Sequence, residues 1–103
     1  MRKLALYAFA GACVAMLAAV PARAQNADPQ LLIVSCSGCH GTGGHSAGAI
    51  PSIYGRNAAS IAETLREFRD DKRPATIMNR LAKGYSDTEI DTLAREIAAK
   101  WAN

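Results

Sequence analysis

The sequence predicts an all-α chain, and three observations carry that reading. Apolar residues recur at helical spacing in two stretches, Ile61, Leu65 and Phe68, then Ile90, Leu93, Ile97 and Trp101. Helix-start signals stand at Asp28-Pro29 and at Ser86-Asp87-Thr88-Glu89. No alternating stretch of useful length, no internal repeat and no low-complexity tract is present. The expectation is three to five helices joined by loops rich in glycine and proline.

The opening stretch reads as an address rather than as structure. Arg2 and Lys3 form a positive start, Leu4 to Val20 is nearly all apolar, and Ala22-Arg23-Ala24 supplies the small residues that a signal peptidase reads. Residues 1–24 are therefore expected to be a cleaved signal peptide and 25–103 a single domain in the periplasm. A retained membrane anchor is the alternative, but Pro21 interrupts the run and the cleavage pattern follows at once. Cys13 lies inside the apolar run, away from the cleavage point that a lipoprotein cysteine would occupy.

Cleavage changes the charge balance. Of the 12 Lys and Arg, Arg2, Lys3 and Arg23 depart, leaving 9 against 9 Asp and Glu, so the formal +3 belongs to the leader. A near-neutral exported chain gives no reason to expect a nucleic-acid partner. With 79 of 103 residues left, the domain has little core of its own and calls for a staple or a bound group.

The first helix is expected to start with Asp28 as cap and Pro29 in the first turn, then run through Leu31, Leu32, Ile33 and Val34 into Cys36. Cys36-Ser37-Gly38-Cys39-His40 is the attachment sequence for a c-type haem. On a helix, Cys36 and Cys39 lie three apart and His40 four beyond Cys36, so all three side chains can reach one flat ligand. The two thiols add across the haem vinyls, and His40 is placed as proximal iron ligand. Gly38 is expected to keep the inner turn small. A redox dithiol would want a strand-bearing context that is missing here, and a zinc site would crowd Cys36, Cys39, His40 and His45 into ten residues.

Gly41 to Gly55 is expected to be a loop covering one side of the haem. A second helix is marked by Ser60-Ile61-Ala62-Glu63 at capping-box spacing, with Asn57 as a competing cap a turn earlier. Ile61, Leu65 and Phe68 form its apolar stripe, while Glu63, Arg66, Glu67 and Asp70 are expected to face water. The mixed-sign run Arg69 to Arg73 reads as a solvated helix end and turn, with a docking patch as the alternative, and Pro74 closes the segment. Thr76 to Ala82 is expected to form a short helical turn ending at Gly84. The last helix starts at the Ser86 capping box and should pack across the first.

Opposite His40, Met78 offers a sixth ligand. Met1 and Met16 leave with the leader, and Met78 lies 38 residues past His40, enough chain to wrap a porphyrin. Met/His ligation raises a haem potential and implies electron transfer. A flexible core filler is the other reading of Met78. His45 is a rival ligand, but a short glycine-rich loop would have to carry it across the haem plane; a solvent-facing loop residue is the alternative. Pro51 lies where its carbonyl can accept the ring N–H of His40. Tyr54, Arg80 and Tyr85 are candidates for contacts with the propionates or ring edge, or for structural roles.

From Cys36 to about Ile97 the chain resembles a class I cytochrome c domain. It is similar in particular to the haem subunit of flavocytochrome c sulfide dehydrogenase. CSGCHGTGG, AIPSIYG, FRDDKRPATIMNR and AKGYSDTEI carry the likeness, the last two most specifically. The resemblance implies a small class I cytochrome c fold around one covalent haem c. It also implies attachment at Cys36 and Cys39, axial ligands His40 and Met78, and Pro51 supporting His40. Its implied partner is an FAD-containing sulfide dehydrogenase subunit that reduces the haem, which then passes electrons to other periplasmic redox proteins. Many such subunits have two haem domains, whereas this sequence has one attachment motif. The chain is thus expected to be an electron carrier, not a catalyst. A stand-alone cytochrome shuttle and a haem enzyme or gas sensor with an open iron position are the other readings.

Overall fold

The computed structural model describes residues 28–103, so the leader lies outside the described residues. Four α-helices follow: α1 (Pro29–His40), α2 (Ala58–Arg69), α3 (Met78–Ala82) and α4 (Asp87–Lys100), with a 3-10 turn at Thr42–Gly44 after α1. Among the described residues there is no strand, and no helix is long and apolar enough to cross a membrane.

Asp28 caps α1 by accepting from the Gln30 amide at 2.9 Å, and Pro29 occupies the first turn. The hydroxyls of Ser35 and Ser37 turn back onto the carbonyls of Leu32 and Val34, each at 2.7 Å, so these polar residues are satisfied within the helix. Gly38 has no protein atom within 4 Å of where a Cβ would stand, so neighbouring side chains do not demand its smallness. Gly41 ends the helix in a left-handed conformation, φ 86°, and an added Cβ would collide with the His45 carbonyl.

The start of α2 departs from the capping box at Ser60. Asn57 is the cap and accepts from the Ser60 amide at 2.8 Å, while the Ser60 hydroxyl, already inside the helix, accepts from Arg56. Asn57 wins because its side chain meets a free first-turn amide, which Ser60 one turn later cannot. Arg66 and Glu67 are also not simply in water. Both are half-buried, Arg66 bonded to Asp87 and Asp91 of α4 and Glu67 bonded to Arg73. The run after α2 is a solvated turn, with Asp71 in the left-handed region at φ 55° and paired with Lys83 at 2.7 Å. In the segment expected from Thr76, helix starts only at Met78.

Helix α4 is the frame on which the rest is mounted. Its capping box is complete: the Ser86 hydroxyl accepts from the Glu89 amide, and the Glu89 carboxylate accepts from the Ser86 amide at 2.8 Å. Ile90, Leu93, Ala94, Ile97 and the following Trp101 bury one continuous stripe. It packs against Ile61 and Ala62 of α2 and Ile33 of α1 in one core. Packed pairs are α2 on α4, α2 on α3, α1 on α4 and α1 on the 3-10 turn. Helices α1 and α3 are not such a pair: each reaches the rest through a different partner.

Candidate functional site

The last turn of α1 carries Cys36, Cys39 and His40. Cys36 is half-buried against the core and Cys39 is exposed, and both are free thiols. Burial pushes the Cys36 thiol above its ordinary value, with a hydrogen bond from Ser35 opposing.

His40 is held by a defined contact. Its Nδ1 lies 2.6 Å from the carbonyl oxygen of Pro51. A carbonyl can only accept, so Nδ1 is the protonated nitrogen, and of the two neutral tautomers the contact selects the one with its lone pair on Nε2, the arrangement a metal-binding imidazole requires. The Gly41–Gly55 loop delivers Pro51 to this point. Gly44 is buried with φ 77°, and a Cβ there would stand 2.9 Å from the Trp101 ring. The Ile53 amide donates to the Gly44 carbonyl at 2.9 Å, and the Gly55 amide donates to the Trp101 carbonyl at 2.7 Å, tying the loop to the end of α4.

Met78 opens α3, half-buried, on the side of the fold held by α2. Tyr54 is 44% exposed and stacked on His45, with ring centroids 3.7 Å apart. Tyr85 is half-buried against the core, and Arg80 is exposed on α3. A shallow groove between α2 and α4, floored by Ala62 and Ala94, contains none of these residues. The structure thus brings together His40 with Pro51 and His45 with Tyr54, and holds Met78 on a separate element. Neither the His45–Tyr54 stack nor the Ser46 amide bond to the Ser52 hydroxyl at 2.9 Å is foreseeable from sequence, because both depend on how the loop closes.

Comparison with known proteins adds an independent line. No family model matches the chain. Cytochrome c-554(548) of Halomonas halodenitrificans is 33% identical over 66 residues, which cover 60% of this chain and 80% of that protein. This chain belongs to the c-type cytochromes. The cytochrome is also 46% identical over 65 residues to the cytochrome subunit of sulfide dehydrogenase from Chlorobaculum tepidum, covering 63% of this chain and 59% of that protein. It is 34% identical over 82 residues to the thiosulfate dehydrogenase electron acceptor of Thiomonas intermedia, spanning only 37% of that protein.

A c-type cytochrome carries covalent haem, and the residues present fit one. Two thiols and an imidazole with a free Nε2 stand on one helix end. The large apolar side chains most exposed among the described residues are Leu31, Val34, Ile50, Tyr54, Ile77 and Leu81. All six lie on α1, in the 41–55 loop, or on or just before α3, and none on α2 or α4. Apolar surface left uncovered on the elements that carry or adjoin the predicted ligands suits a flat apolar group.

Proposed function

We propose that this cytochrome is an exported electron-transfer protein with one haem c attached at Cys36 and Cys39, ligated by His40 on one face and Met78 on the other. The single observation that carries it is the His40–Pro51 bond, which leaves Nε2 free beside the two cysteines. When bound, the haem iron supplies a one-electron ferric/ferrous couple. The chain's own residues attach the group, fix the imidazole tautomer, present a thioether, and leave no open iron position for substrate. That is the design of a carrier, with the potential set by ligands, burial and hydrogen bonds.

The donor is proposed to be an FAD-containing, sulfide-oxidising dehydrogenase subunit, and the acceptor another periplasmic redox protein. The 46% identity to a sulfide dehydrogenase cytochrome subunit supports this choice. A free-standing carrier is the second reading, favoured by the 80% coverage of the Halomonas protein, named simply as a cytochrome c. Residues 1–24 are proposed to direct export and to be cleaved.

The test is expression in a host that matures c-type cytochromes, followed by spectra of the oxidised and reduced protein. Covalent, low-spin, methionine-ligated haem is expected, with slow carbon monoxide binding. A colourless mature chain, or a reduced form that binds carbon monoxide rapidly, overturns the proposal. Sulfide plus a purified flavoprotein subunit should reduce the haem; failure with that donor alone would leave the free-standing carrier.

A further inference from the structure

We infer that His45 and Tyr54 are positioning residues for His40: their stack closes the neck of the 41–55 loop and holds the Pro51 carbonyl on the His40 ring. The inference rests on the proposed ligation by His40. Three contacts join the two arms of the loop at neighbouring positions. The Ile53 amide donates to the Gly44 carbonyl at 2.9 Å, and the Ser46 amide donates to the Ser52 hydroxyl at 2.9 Å. Alongside these two bonds the rings of His45 and Tyr54 lie face to face, centroids 3.7 Å apart and planes 22° from parallel. Pro51, whose carbonyl meets His40 Nδ1 at 2.6 Å, is the residue immediately before Ser52.

Burial does not hold Pro51 there, since residues 47–52 are all exposed. The stack is not core packing either, because His45 is exposed and Tyr54 is 44% exposed. Two flat rings paired at a glycine-rich neck fix the separation of its arms, and through that the position of the carbonyl just beyond it. A carbonyl on Nδ1–H makes Nε2 a stronger donor, and a stronger donor favours the oxidised metal. Loosening the neck should therefore weaken the bond and move the reduction potential upward. The role also commits His45 to the loop rather than to the iron.

The test compares haem-loaded wild type with His45→Ala and His45→Phe. H45A is expected to keep the methionine-ligated spectrum, to shift the potential upward, and to exchange the His40 Nδ1 proton roughly two- to tenfold faster in proton NMR of the reduced form, the range that losing one aromatic pair implies. H45F, which keeps a stacking ring, should restore both readings. H45A matching wild type in both overturns the inference, and so does H45F as impaired as H45A. If H45A does not mature, His45→Leu, with bulk but no flat ring, is read against the same expectations. A coloured, methionine-ligated wild type with a silent H45A defeats this inference alone, whereas a colourless wild type defeats the haem reading beneath it.

Discussion

Met78 occupies the first position of a five-residue helix, and its thioether is a soft donor. If it faces the iron, Met78→Ala should abolish the thioether-to-ferric charge-transfer band and lower the potential, both measurable on purified holoprotein. An unchanged spectrum would return Met78 to the role of core filler. Gly44 offers a test of the loop instead. Its φ of 77° and the Trp101 ring 2.9 Å from an added Cβ mean that Gly44→Ala must both strain the backbone and displace the indole. The expected loss is about 1–3 kcal/mol, read as a lower urea midpoint of the loaded protein.

Helix α4 was the most legible element because every local signal agreed. Its capping box, apolar stripe and length are all encoded within consecutive residues. Ser86→Ala should cost about 1 kcal/mol, and Leu93→Ala about 2–5 kcal/mol, by chemical denaturation. Helix α2 was less legible: two cap signals compete in the sequence, and only the folded backbone chooses Asn57. The ion pairs of Arg66 and Arg69 with Asp87 were illegible, since they join residues that are neighbours only once α2 lies on α4. Those arginines, Arg69 foremost, hold the Asp87 carboxyl below its ordinary 3.8. A carboxyl lowered by folding contributes stability above its unfolded value, and the contribution disappears as pH falls through the folded one. The denaturation midpoint should therefore drop below about pH 4, and less steeply in Asp87→Asn than in wild type.

Across the whole molecule, helical class and the packing of α4 on α1 follow from the sequence; the candidate site residues are those that its motifs name. What the spacing of residues could not convey is that α1 packs on α4 while α3 packs on α2. Cys36 and His40 stand on α1 and Met78 on α3, so a group bound between them would complete the packing. Preventing attachment with Cys36→Ser and Cys39→Ser should leave Leu31, Val34, Ile77 and Leu81 uncovered. The variant is expected to melt at lower temperature and to take up an apolar dye that the loaded protein excludes.

Trp101 is the sole tryptophan in the 103 residues, and it sits where the end of α4 meets the glycine loop. Its indole rests beside Gly44 and its carbonyl anchors Gly55. The chain thus carries a built-in optical gauge at the joint that matters. Indole emission, quenched while a porphyrin lies nearby, should brighten as that joint parts, timing the release of the loop without any added label.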